Sequence, residues 1–76
     1  NPIGNPLFEA LRACRRDLAK ETQVPPYVIF HDRTLAEIAA RRPGRLAELG
    51  KVSGVGEGKL ERYGEAVLEV LRGMDA

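Results

Sequence analysis

Apolar residues recur at Leu7, Leu11, Cys14 and Leu18, three or four positions apart, with polar residues between them. That is the spacing of one helix face. Asn5-Pro6 just ahead reads as an N-cap followed by proline at the first helical position, where its missing N–H would have had no partner anyway. The pattern predicts a helix from about Pro6 to Thr22. It ends before Pro25-Pro26, because a residue preceding proline is pushed out of the helical region. Tyr27-Val28-Ile29-Phe30 is an unbroken apolar run. As a strand it has nothing elsewhere in the chain to pair with, and its backbone polar groups would stay unsatisfied. It is read instead as one buried helical turn started by Pro26.

Asp32 reads as the next N-cap. Leu35, Ile38 and Ala39 form the inner face of a short helix ending near Arg41, and Arg42-Pro43-Gly44 breaks it. Leu46 and Leu49 anchor a fourth piece stopped by Gly50. Val52-Ser53-Gly54-Val55-Gly56 then forms a tight turn that needs glycine for positive φ or for close backbone approach. Leu60, Gly64, Val67 and Leu71 line one stripe of a long last helix, with Gly73 as its C-terminal stop. The sum is five helices, three of them short, and no internal repeat. The expected fold is all-α, one domain, with several steep helix crossings. Residues 1–5 read as a linker or remnant, 6–73 as the helical domain and 74–76 as a tail.

Size narrows the function. A chain of 76 residues buries only about 60% of its unfolded surface, and a core of this size rarely supplies more than ~3–5 kcal/mol. A binding surface fits on it, with little room for a deep substrate cleft of the usual ~300–1,000 Å³. The single cysteine, Cys14, permits no internal disulfide and lies on the apolar stripe, so it reads as a packing residue in a reducing, cytoplasmic compartment. No apolar run approaches the ~20 residues that span a bilayer, and the N-terminus carries no charged-then-apolar leader. The formal net charge is only +1. Its distribution says more. Residues 1–52 carry nine Lys and Arg against six Asp and Glu, and residues 53–76 carry three against five. The halves are +3 and −2, an asymmetry that steers a charged partner to one face.

The order and text of these pieces resemble the HRDC family, the accessory domain of RecQ helicases and ribonuclease D. The carrying residues are Leu7-Phe8-Glu9-Ala10-Leu11-Arg12, Val24-Pro25-Pro26-Tyr27-Val28-Ile29-Phe30, Asp32-Arg33-Thr34-Leu35 and Leu46-Ala47-Glu48-Leu49, closing with Val52-Ser53-Gly54-Val55-Gly56-Glu57-Gly58-Lys59-Leu60-Glu61-Arg62-Tyr63-Gly64. The Pro-Pro-Tyr turn combined with the Gly-Val-Gly turn is the specific part, and the version here looks most like bacterial RecQ. The resemblance implies a compact five-helix bundle with orthogonal packing like that of SAM and helix-hairpin-helix domains. It implies a monomeric, non-catalytic module of a DNA helicase, at the bacterial nucleoid, that tunes which single-stranded, forked or branched DNA the parent engages in replication, recombination and repair. The domain itself would need no cofactor; ATP and magnesium would belong to the parent's helicase core. In some members the aromatic residue of the Pro-Pro-Tyr turn contacts single-stranded nucleic acid, which points to Tyr27. Two positions depart from the family pattern: His31 replaces a small polar residue, and Gly44 replaces a Thr or Ser cap.

Each candidate has a functional and a plainer reading. Arg12, Arg16 and Lys20 are four apart and form one ridge, with Arg15 beside it; they either contact phosphates, releasing counterions, or make a solvated face paired with Glu9 and Glu21. Arg41, Arg42 and Arg45 flank a helix break; they either bind phosphate or complement a helix C-terminus, typically worth ~0.3–1 kcal/mol. Tyr27 either stacks on an unpaired base, worth roughly 1–3 kcal/mol, or packs against the first helix. Gly54-Val55-Gly56 resembles half of a helix-hairpin-helix turn, where amides at a helix start face a phosphate and Lys51, Lys59 and Arg62 would help; otherwise its glycines only permit close packing. Glu57, Glu61, Glu65 and Glu69 form an acidic ridge that repels DNA and either docks on a basic protein surface, such as the parent core, or is simply solvated. RNA as ligand, in a ribonuclease D-like parent, is a third possibility. His31 alone makes no zinc site, which wants three or four ligands. No nucleophile–base set, paired catalytic carboxylates or P-loop spacing is present, so no enzyme chemistry is expected.

Overall fold

The computed structural model describes residues 5–75; residues 1–4, most of the expected linker, and Ala76 lie outside the described residues. Five helices follow in order: α1 (Pro6–Thr22), α2 (Pro26–Ile29), α3 (Asp32–Arg41), α4 (Leu46–Leu49) and α5 (Glu57–Asp75). No strand occurs among the described residues. α1 packs against α5, α2 and α3, while α4 packs against α5. The all-helical reading therefore holds, as do the bounds of α1 and the single turn at α2.

Local chemistry explains most boundaries. The Asn5 side chain accepts from the Leu7 and Phe8 amides at 2.9 and 3.3 Å, capping α1. α1 ends on Gln23 at φ 58° and α3 ends on Arg42 at φ 49°, both left-handed caps supplied without glycine. Three expectations need correction. His31, not Asp32, is the N-cap of α3, and its side chain makes no capping hydrogen bond. Asp32 is the first helical residue instead, because Arg15 draws its carboxylate sideways to 2.7 Å. Gly73 does not stop α5, which runs on to Asp75; among the described glycines only Gly54 takes the positive φ that ends helices. The α2 turn is only half buried: Ile29 and Phe30 are inside, Tyr27 and Val28 outside.

The core gathers the apolar stripes of every helix. Leu7 and Leu11 of α1, Ile29, Phe30, Leu35, Ile38 and Leu49, and Val67, Leu68 and Leu71 of α5 are all buried. Each such side chain stabilises the fold by about 1.5–3 kcal/mol. Phe30 sits edge-on to Tyr63, ring centroids 6.0 Å apart at 74°, a favoured aromatic geometry. Two glycines permit close approach. A Cβ on Gly64 would lie 2.6 Å from Leu46 Cδ2, so glycine lets α4 rest on α5. Gly54, at φ 94°, has no room for a Cβ beside Thr34 Oγ1. Leu46 itself is more than a third exposed, so Leu49 is the residue that anchors α4. Cys14 is half buried on α1 rather than enclosed in the core.

Candidate nucleic-acid interface

The middle turns of α1, from Glu9 to Arg16, face Pro26 of α2. Arg12, Arg15 and Arg16 line a shallow groove of about 310 Å³ whose far wall is Pro26. The next residue, Tyr27, is 61% exposed. Two prolines fix this arrangement: Pro25 holds extended backbone (φ −63°, ψ 151°) and Pro26 starts the turn. The structure thus brings Arg12, Arg16 and the Pro-Pro-Tyr turn to one face, and Tyr27 is a surface residue, not a packed one.

The three arginines of that groove differ in kind. Arg12 approaches Glu9 at 3.6 Å and Arg16 approaches Asp17 at 3.6 Å, all exposed and water-screened. The Arg15 side chain is only 10% exposed. It donates to the Phe30 carbonyl at 2.9 Å and holds Asp32 at 2.7 Å, which ties α1 to the end of α2 and the start of α3. Its Nε is buried without a partner. Arg15 is a positioning residue that fixes the turn carrying Tyr27.

The other basic candidates do not join this groove. Lys20 is exposed on α1 and makes no ion pair among the described residues. Arg41 binds Glu37 at 3.0 Å and Arg45 approaches Glu48 at 3.7 Å. They lie near the far end of α3, about 14 Å along that helix from Asp32. Arg42 is exposed there and caps α3 through its N–H, which donates to the Ile38 carbonyl at 2.9 Å. Glu48 Oε1 accepts from the Gly44 amide at 2.8 Å, which replaces the Thr or Ser cap missing from that loop. Lys51 is exposed ahead of the Gly54 turn. Lys59 Nζ lies 5.8 Å over the Phe30 ring, a cation–π placement beside the end of α2. Sequence reasoning weighed His31 only as a metal ligand and did not single out Arg33. The His31 ring lies 6.4 Å from the Tyr27 ring at 28°, and Arg33 makes no ion pair among the described residues.

The acidic side of the molecule is also a two-helix feature. Glu57, Glu61, Glu65 and Glu69 are all exposed on α5, with Glu65 3.9 Å from Arg72. Glu69 faces Asp17 and Glu21 of α1 across a groove of about 440 Å³ floored by Ala13, Cys14, Leu18 and Val70. No basic side chain lines it. Burial, and then the Asp17, Glu21 and Glu69 carboxylates, push the Cys14 thiol above its ordinary pKa. Among the described residues no cluster of three or more His, Cys, Asp or Glu could hold a metal ion. No described helix is long and apolar enough to cross a membrane.

The family model of the HRDC domain matches residues 5–71. The chain belongs to the HRDC family. It is similar to HRDC domain 3 of D. radiodurans RecQ, with TM-score 0.87 and 47% identity over 90% of each chain. It is 42% identical over 66 residues to the ATP-dependent DNA helicase RecQ of Bacillus subtilis, covering 87% of this chain and 11% of that protein. It is also 42% identical over 71 residues to the ATP-dependent DNA helicase UvrD2 of Mycobacterium tuberculosis, covering 93% of this chain and 10% of that one. This HRDC chain thus spans about a tenth of the curated relatives it matches.

Proposed function

We propose that this HRDC domain is the non-catalytic nucleic-acid-binding module of a RecQ-type DNA helicase. It holds single-stranded, forked or branched DNA weakly, on the face made by α1 and the Pro-Pro-Tyr turn, and so biases which DNA structures the parent engages. The observation that carries the reading is Tyr27: a large aromatic ring, 61% exposed, fixed by two prolines beside a groove lined by three arginines. Exposed aromatics next to basic grooves are how sequence-tolerant single-strand binders work. Arg12 and Arg16 position phosphates, Tyr27 stacks, and Arg15 holds the turn. Lys20, Lys51, Lys59 and the Arg41, Arg42 and Arg45 group act as outlying positive charge. ATP and magnesium serve the parent's core. The test is fluorescence anisotropy of this domain with single-stranded and forked DNA across a salt series. Binding in the micromolar to submillimolar range, falling linearly in log salt and weakened about fivefold or more by Tyr27→Ala, is expected. No binding at low salt sinks the reading.

The groove between α1 and α5 favours a second reading. Its apolar floor and the three carboxylates on its two walls suit a basic segment of the parent core, with Glu57, Glu61 and Glu65 extending the negative face. Glu61→Lys separates the two: it strengthens DNA binding under the first and weakens docking on the core under the second.

A further inference from the structure

We propose that His31 and Arg33 complete a seat for one unpaired nucleotide, with the base lying on the Tyr27 and His31 rings and its phosphate meeting Arg33. The proposal rests on the DNA-binding reading and adds residues to it. Three observations meet at His31. First, its ring lies beside that of Tyr27, centroids 6.4 Å apart and planes at 28°, and both residues are exposed. The extended backbone at Phe30 (φ −152°, ψ 145°) brings the second ring alongside the first. The two near-parallel rings form a short stack that a base can extend, and any base has a face to stack. Second, His31 occupies the N-cap position of α3 without capping it. A serine, asparagine or aspartate there would satisfy an amide of the first turn, so helix stability does not explain the ring. Third, His31 also lines a cleft of about 380 Å³ with Arg33, Thr34, Glu37, Ser53 and Gly54. His31 therefore belongs both to the ring pair and to a second recess.

The charges around that recess leave Arg33 unmatched. Asp32 is held by Arg15 at 2.7 Å and Glu37 by Arg41 at 3.0 Å, while Arg33 has no ion pair among the described residues. The carboxylate next to Arg33 in sequence and the one lining the cleft are thus both paired, and a phosphate at the mouth of the cleft meets one uncompensated guanidinium. The back wall is preformed: Thr34 Oγ1 donates to the Ser53 carbonyl at 3.4 Å, and Gly54 presses against the same threonine. Binding then orders little protein, which favours affinity.

The experiment compares a fluorescent oligothymidylate with the same strand carrying abasic sites, at low and moderate salt, using the 76-residue chain. The wild type is expected to prefer the strand with bases. His31→Ala should lose about fivefold on that strand and little on the abasic one, and His31→Phe should restore the preference. His31→Asn, which can cap α3, should melt no lower than wild type and still lose the preference, which separates the ring from folding. Arg33→Gln should weaken both strands alike and lower the salt slope by about 0.7, one phosphate's worth for a single strand. The seat is overturned if His31→Ala leaves the base preference intact, or if Arg33→Gln leaves the salt slope unchanged. If the wild type binds neither strand, the DNA-binding reading itself has failed; if it binds and responds to Tyr27→Ala but not to His31→Ala, only the seat has.

Discussion

α1 presents two flanks of opposite character. Toward α2 it offers Arg12, Arg15 and Arg16, with Glu9 the one acid in that groove and Pro26 opposite. Toward α5 it offers Asp17 and Glu21, with Glu69 opposite and Cys14 on the floor between. Splitting the chain by sequence assigns the positive charge to its first two thirds and the negative charge to its end. The folded molecule sorts charge differently, by the sides of a single helix. A polyanion meeting this domain is drawn to one flank of α1 and turned away from the other, so charge sets orientation even though the net charge is +1.

Within the basic flank, the sharpest contrast is between Arg15 and Arg12. Arg15→Ala removes the donor to the buried Phe30 carbonyl and the partner of Asp32. Thermal unfolding followed by circular dichroism should show a loss of about 2 kcal/mol, or roughly 10 °C in a domain of this size. Arg12→Ala, which loses only an exposed pair with Glu9, should cost less than ~0.5 kcal/mol. Equal melting temperatures for the two variants would remove the distinction between a positioning arginine and a surface one. The next largest effect tests the two flanks against each other. Arg12→Glu with Arg16→Glu should weaken single-stranded DNA binding at least tenfold at low salt, on the order of 1.4 kcal/mol, and flatten the salt dependence. Glu61→Lys, on α5, should move affinity about twofold the other way. If both changes shift binding in the same direction, charge on these faces is not what orients the DNA.

The helices were legible because each rests on local chemistry. The Leu7, Leu11, Cys14 and Leu18 spacing, the Asn5-Pro6 cap and the Pro25-Pro26 break determine α1 and α2 with no knowledge of the partner surfaces. The corrections fall where a distant residue decides. Arg15 takes Asp32 away from a capping role, so the cap passes to His31. Glu48 replaces the absent loop cap through Gly44. The site was partly legible: Tyr27 and the α1 arginines were expected, and their meeting across the α1–α2 groove was not. Some of that signal was present in the chain. Arg15 lies four residues after Leu11 and seven after Phe8, at the edge of the buried arc, where a charged residue with a carbonyl to reach becomes structural. Asp17 lies seven after Ala10, and Glu21 seven after Cys14, on the opposite edge. The pairing of His31 with Tyr27, and the isolation of Arg33, depend on where α2 turns into α3, and no periodicity encodes that.

The smallest effect concerns Cys14, and it reads out the acidic flank without any ligand. Burial is the larger influence on its thiol, followed by Asp17, Glu21 and Glu69, and each raises the pKa. A raised value means less thiolate at a given pH, so reaction with a disulfide reagent near neutrality should be slower than for an exposed cysteine. Glu69→Gln removes one carboxylate and leaves the burial, so the rate should rise only about twofold. The same shift has a sign in stability. The folded chain favours the protonated thiol, so this contribution is fully present below the unfolded cysteine's value, roughly 8.5, and is lost as pH rises through the folded value. Cys14→Ala should therefore flatten the loss of stability above that pH. An unchanged rate in both Glu69→Gln and Asp17→Asn would mean that these carboxylates do not act on the thiol. The acidic flank would then be scattered surface charge, and the contrast drawn along α1 would rest on its arginines alone.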